Sequence, residues 1–150
     1  LTQVRYRAAV LVAFEQLGGA DMALEISAAY ARERKAFGKP IGVYQGIKRK
    51  RADMFTANQL ARAHCYYGAW ALNSNAPELA KAAAGARVTA SNAFTLAAQE
   101  SIQTHGGMGF TWDNPVSQAY RDSRLVSIGG GADEVMLGII CKLEGTLPRP

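Results

Sequence analysis

The chain has no apolar run near the roughly 20 residues that a membrane-spanning helix needs. Nor do its first residues, "LTQVRYRAAV", contain the apolar core and cleavage site of a secretory signal, or an initiator Met. The expectation is a piece of a longer, cytoplasmic protein. Cysteine is scarce: Cys65 and Cys141 are the only two, too few for a disulfide framework. Both fall in helix-like patterns and are expected to be reduced core residues. Histidine is equally sparse. His64 and His105 are far apart and no His-x-x-Glu or Cys-x-x-Cys spacing accompanies them, which argues against a metal site. No segment alternates with period two for long, so a sheet-based fold is excluded. Without a strand ahead of any glycine cluster, neither a dinucleotide-binding βαβ loop nor a Walker loop fits.

What is present is ordinary for a globular protein: 49% apolar and 19% charged residues in a chain of 150. The net charge of +5 comes from 17 basic and 12 acidic residues. Two basic clusters stand out, "ARERK" at 31–35 and "KRKR" at 48–51. Such clusters suit a membrane surface, a phosphorylated cofactor or a solvated helix face. They do not suit nucleic acid, because no aromatic stacking platform interleaves with them.

The chain reads as successive helices. From about 4 to 34, Val10, Phe14, Leu17, Leu24, Ala28 and Ala31 recur at three- and four-residue steps, interrupted by Asp21. "FGKPIG" (37–42) breaks this helix. A second helix is predicted over about 44–73, ended by "NSNAP", and a third over about 77–104. The third is so rich in alanine ("KAAAGA", "SNAFTLAAQ") that it should be the central, closely approached one. "HGGMGF" (105–110) is a forced turn, and "PVSQAYRDSRLVS" (115–127) a shorter helix opening on proline. Val135, Met136, Ile139, Ile140 and Leu143 mark a last helix, with Asp133 and Glu134 expected to cap or charge its start. The pattern predicts an all-α antiparallel four-helix-type bundle with a short extra helix.

Two stretches carry possible chemistry. Arg34, Phe37 and Gln45 lie across one helix end, in "RKAFGKPIGVYQ"; Gln103, Gly106, Gly107 and Gly109 lie across another, in "QTHGGMGF". Glycines expose backbone N–H groups and admit a large ligand, and arginine offers a charged fork suited to pyrophosphate. Taken singly, each reads more readily as an ordinary interhelical turn.

Together, "YARERKAFGKPIGVYQGIKRKRADM", "QTHGGMGF" and "YRDSRLVSIGGGADEVM" resemble the C-terminal helical domain of the acyl-CoA dehydrogenase family, in its order and at about its spacing. The resemblance implies an FAD enzyme that dehydrogenates an acyl-CoA thioester at the α,β-position. Residues 1–150 would be the C-terminal bundle, with the N-terminal helical and middle β-domains of the family absent from this chain. It implies that Arg34 and Phe37 meet the FAD of a neighbouring subunit, with Gln45 close by, and that Gln103, Gly106 and Gly107 approach its pyrophosphate. Arg121 and Asp122 match the family's "RD" pair and are read as structural. Implied partners are acyl-CoA, further copies in a dimer or tetramer or a paralogous subunit, and electron-transfer flavoprotein or another electron acceptor.

The family's base is a glutamate that removes the α-proton while hydride leaves the β-carbon. Its position in the "YEGT" motif matches Gly130 here, which cannot accept a proton. The alternative base position, at the start of the first helix, falls on about Ala8, and residues 1–14 hold no Asp or Glu. Glu15 is the first carboxylate, seven positions on along the same face and about 10 Å away at ~1.5 Å per residue. It is a weak candidate base, read more readily as a buried or turn-facing structural group. The catalytic residue is therefore unassigned, while the Gly130 and Gly131 amides remain able to polarise a substrate carbonyl.

Overall fold

The computed structural model describes residues 2–145. Five helices follow one another: α1 (Thr2–Glu33), α2 (Gln45–Asn73), α3 (Leu79–His105), α4 (Pro115–Ile128) and α5 (Asp133–Glu144). The order and bounds agree with the sequence reading to within a few residues. α3 is the central element and packs against all four others. Its alanines explain this. Ala82, Ala83, Ala86, Ala90, Ala93, Ala97 and Ala98 are all buried, and side chains this short let neighbouring backbones come close. Where α2 crosses, Gly68 replaces even alanine: a Cβ there would lie 3.2 Å from Ala86 Cβ and 3.3 Å from Val10 Cγ2. On the α1 side, Phe94 fills the space over Gly19, where a Cβ would come within 2.5 Å of its ring.

Asp21, which interrupts the apolar stripe of α1, accepts from Asn58 Nδ2 at 3.0 Å and Arg62 Nη2 at 2.5 Å, joining α1 to α2. Cys65 is buried in the core, as expected, whereas Cys141 is only half-buried on α5. The cluster at 48–51 is partly neutralised, with Arg49 paired to Asp53 and Lys50 to Glu100.

Two local features depart from the sequence reading. The break after α1 is a two-stranded antiparallel hairpin, Lys35–Ala36 against Lys39–Pro40, followed by a 3-10 turn at Ile41–Val43. Its strands are too short to show a period. The forced turn after α3 is itself a 3-10 helix, Gly106–Phe110, and α4 then starts as predicted, with Asn114 accepting from Val116 N at 3.1 Å ahead of Pro115.

Candidate functional site

The hairpin turn carries two left-handed residues, Phe37 (φ 54°) and Gly38 (φ 78°), as a tight two-residue loop requires. For Phe37 this conformation is strained, and the side chain is 96% exposed. It touches the Tyr44 ring edge-on at 6.4 Å, while the Tyr44 hydroxyl donates to the Ala36 carbonyl at 2.8 Å and holds the hairpin down. Gly42 lets the returning chain pass α1; a Cβ there would sit 2.9 Å from the Ala31 carbonyl. Beyond that edge contact the exposed ring gains little packing within this chain to offset the strain.

Opposite the hairpin base, α3 ends beside the last turns of α1. A groove of about 460 Å³ forms there, lined by Tyr30, Arg34, Ile41, Gln103, Gly106 and Gly107, with Thr104, His105 and Met108 completing it. Four of the predicted cofactor residues, Arg34, Gln103, Gly106 and Gly107, thus converge on one surface. Phe37 and Gln45 do not line it: Phe37 stands at the hairpin tip and Gln45 is exposed at the start of α2. Gly106 is left-handed (φ 61°), and a Cβ at either glycine would meet nothing within 4 Å, so the backbone is open to a close ligand. Arg34 is exposed and makes no ion pair among the described residues. An unneutralised guanidinium beside an uncovered glycine backbone fits a phosphate-bearing dinucleotide.

At the other end of the bundle, α4 stops at Ile128 and the chain turns through Gly129, Gly130 (φ 71°) and Gly131 (φ 114°) into α5. A Cβ on Gly130 would lie 3.3 Å from Val12 Cγ2, so the turn rests on α1. Of the two roles expected at the start of α5, charging is the one observed. Ala132 is the N-cap, without a side-chain bond, while Asp133 and Glu134 both sit in the first turn, where a negative charge is favoured. The Asp133 carboxylate also reaches into the bundle, where it accepts from Ser91 Oγ at 2.6 Å and pairs with Arg87 at 3.5 Å.

Arg87 was not singled out by the sequence reading. Wholly buried within α3, it donates from Nη1 to Gln16 Oε1 at 2.8 Å and from Nη2 to the carbonyls of Val126 and of Gly129, the latter at 2.8 Å. Burial pulls its affinity for the proton below that of a solvated guanidinium, and Asp133 acts in the opposite direction. An isolated arginine in an alanine-rich helix was the available signal.

No carboxylate belongs to the glycine turn itself. Ala8 is half-buried on α1. Glu15 is exposed rather than buried, on the wall of a separate groove of about 340 Å³ between α1 and α4, shared with Gln16, Met22, Phe94 and Asp122. Arg121 donates to Ser117 Oγ at 3.0 Å and lies 4.2 Å from the Trp112 ring centroid, bracing α4 against the segment before it. A third groove, about 450 Å³ between α1 and α5, joins Arg5 and Lys142 to Tyr6, Val135 and Ile139, two cations beside an apolar wall. His64 packs against Gly85 rather than joining His105, and among the described residues no group of three His, Cys, Asp or Glu side chains could hold a metal. No described helix is long and apolar enough to cross a membrane.

Residues 6–143 match the model of the acyl-CoA dehydrogenase C-terminal domain. The chain belongs to the acyl-CoA dehydrogenase family. It is 39% identical over 133 residues to a probable acyl-CoA dehydrogenase of Bacillus subtilis (YngJ), covering 89% of this chain and 35% of that protein. Butyryl-CoA dehydrogenase from Megasphaera elsdenii superposes with a TM-score of 0.88 at 32% identity, over 91% of this chain and 35% of that one. A structure described as an FAD-dependent dehydrogenase matches with a TM-score of 0.83 at 27% identity, over 88% and 35% of the two chains. The chain spans about a third of the length of these dehydrogenases. FAD is the cofactor that this membership indicates.

Proposed function

We propose that this chain is the C-terminal bundle of an FAD-dependent acyl-CoA dehydrogenase, supplying a flavin-contacting surface and a self-association surface. The observation that carries the reading is the convergence of Arg34, Gln103, Gly106 and Gly107 on one groove, from two helix ends far apart in sequence. FAD, when bound, supplies the hydride acceptor for α,β-dehydrogenation. Arg34 would neutralise pyrophosphate charge, Gln103 would add an amide donor, and Gly106 and Gly107 would let the backbone approach it. That cofactor would be the FAD of a neighbouring subunit, and Phe37 and Gln45, outside the groove, would meet it as well. A strained and solvent-facing Phe37 suits that role, because its contact is supplied only on assembly.

The same assembly would cover the outer face of α2, where Phe55, Leu60, Tyr66, Tyr67 and Trp70 are exposed together. The assembly would be a dimer or tetramer of this chain, or would include a paralogous subunit. At the glycine turn, the amides of Gly130 and Gly131 would polarise the thioester carbonyl. The cationic groove at Arg5 and Lys142 has the charge to meet phosphates of CoA. Electrons would pass on to electron-transfer flavoprotein or another acceptor, in a cytoplasmic setting.

A second reading has its own support: the position matching the family's base is Gly130, and the weak candidate, Glu15, is exposed on a different groove. On that reading the chain belongs to a non-catalytic subunit whose partner brings the glutamate. A third, a helical interaction module without cofactor, leaves the unpaired Arg34 and the open glycine backbone without a purpose.

The readings separate when the natural protein is purified in full and mixed with acyl-CoAs of several lengths. Bound flavin that bleaches with a substrate supports a self-sufficient dehydrogenase. Flavin that bleaches only after a partner subunit is added supports the second reading. Protein that takes up no FAD removes both.

A further inference from the structure

The buried guanidinium of Arg87 reaches four elements at once. It donates to Gln16 on α1, to the Val126 carbonyl near the end of α4 and to the Gly129 carbonyl at the turn, and pairs with Asp133 at the start of α5; Ser91 on α3 binds the same carboxylate. The network is incomplete, because Arg87 Nε and Gln16 Nε2 are buried without partners. A buried cation with unmet donors is a poor device for stability alone, since apolar residues of similar volume often serve as well or better. What the arrangement does achieve is geometry: a planar fork with two carbonyl partners fixes both the end of α4 and the direction in which the chain leaves it. The residues that follow need such restraint. Gly130 and Gly131 are consecutive glycines at positive φ, 71° and 114°, with no side chain to restrict the backbone.

We infer that Arg87 is the positioning residue of the Gly129–Gly131 turn, holding the Gly130 and Gly131 amides in the orientation that a thioester carbonyl requires. This rests on the reading of that turn as the surface that meets substrate. With no side chain at Gly130 to place a reacting group, orientation of the backbone is the only property the turn can contribute, and Arg87 sets it from beneath without touching the substrate.

The test uses the natural protein in full, with Arg87→Met, Arg87→Lys and Asp133→Asn. Amide hydrogen exchange is followed over 128–133, and binding of an unreactive acyl-CoA thioether is measured alongside. Flavin content reports the distant Arg34 groove. Arg87→Met is expected to speed exchange in the turn by at least about tenfold and to weaken thioether binding by a similar factor, with flavin content unchanged. Arg87→Lys keeps the charge but loses the fork, and should recover part of both. Asp133→Asn should fall between. If Arg87→Met does not fold, the lysine and asparagine variants carry the comparison. Exchange that stays at the wild-type rate in the folded variants overturns the positioning role. So does faster exchange with undiminished thioether binding. A wild-type protein that retains flavin but binds no thioether overturns the substrate reading beneath it, while the exchange rates still decide whether Arg87 pins the turn.

Discussion

Tyr30 stacks on His105 with ring centroids 4.1 Å apart and planes 27° from parallel, and its hydroxyl donates to the His105 carbonyl at 3.5 Å. His105 is itself fixed, its Nδ1 2.8 Å from the Ser101 carbonyl. The pair joins the last turns of α1 to the last turn of α3, and so sets the width of the groove that holds Arg34 opposite Gly106. Replacing Tyr30 by Ala removes a half-buried ring and should cost about 2 kcal/mol, while Tyr30→Phe removes only a long hydrogen bond and should cost under about 1 kcal/mol. Thermal melts of the two variants check this ordering; an alanine variant as stable as wild type would show that the stack does not hold the groove.

Phe37 leads to an opposite expectation. At φ 54° and almost fully exposed, it contributes little packing and carries a left-handed penalty of about 1–2 kcal/mol. Phe37→Gly should leave stability within about 1 kcal/mol of wild type or raise it, because relief of strain offsets the added freedom of the unfolded chain. Self-association, followed by sedentation of the natural protein in velocity runs, should nonetheless weaken. A variant that assembles as tightly as wild type would place Phe37 outside the interface.

At the glycine turn, neighbouring positions should differ sharply. Gly129 has an ordinary φ of −73° and room for a Cβ at van der Waals distance from the Leu125 carbonyl. Gly130 has φ 71° and Val12 Cγ2 3.3 Å from where a Cβ would lie. Gly129→Ala should therefore be close to neutral, and Gly130→Ala should cost about 1–2 kcal/mol in urea unfolding. A glutamate placed at Gly130 would incur the same backbone cost, so the turn disfavours any side chain there. Equal effects at the two positions would contradict that conclusion.

Cys65 provides a pH-dependent check of the core. Burial raises its thiol to about 11 from an ordinary 9.0, with Arg62 pulling the other way. The folded state thus holds the proton more tightly than the unfolded one. The associated stability is present below about pH 9 and is lost as pH rises through about 11. In the native protein a thiol-selective alkylating reagent at pH 8 should leave Cys65 unmodified until denaturant is added. Stability of a Cys65→Ala variant should decline less steeply between pH 9 and 11 than that of wild type. Rapid native labelling at Cys65 would mean that this part of the core opens readily.

The bundle was legible because its signals are local. Helical spacing of Val10, Phe14 and Leu17, the alanine run around 82–98, and Pro115 at a helix start each determine an element without reference to its neighbours. The Arg34 and Gly106 clusters were legible as candidate ligand residues for the same reason. Their meeting in one groove was not, since nothing in either stretch encodes the stacking of Tyr30 on His105. Asp133 was legible as an acidic residue in the first turn of α5, but its pairing with Arg87 was not, because that partner is buried and distant in sequence. Glu15 was expected to be buried or turn-facing, and a one-position rotation on α1 separates exposed Glu15 from buried Gln16.

The central claim is that the groove at the α1 and α3 ends holds FAD, and flavin occupancy of the natural protein against its Arg34→Ala variant tests it most directly. Arg34 is exposed and unpaired, so its loss should shift folding stability by no more than about 0.5 kcal/mol. The account predicts a wild-type protein with bound flavin absorbance and an Arg34→Ala variant, equally well folded, that loses most of its flavin on gel filtration. A wild-type protein that takes up no FAD, or a variant that keeps full occupancy, would contradict it.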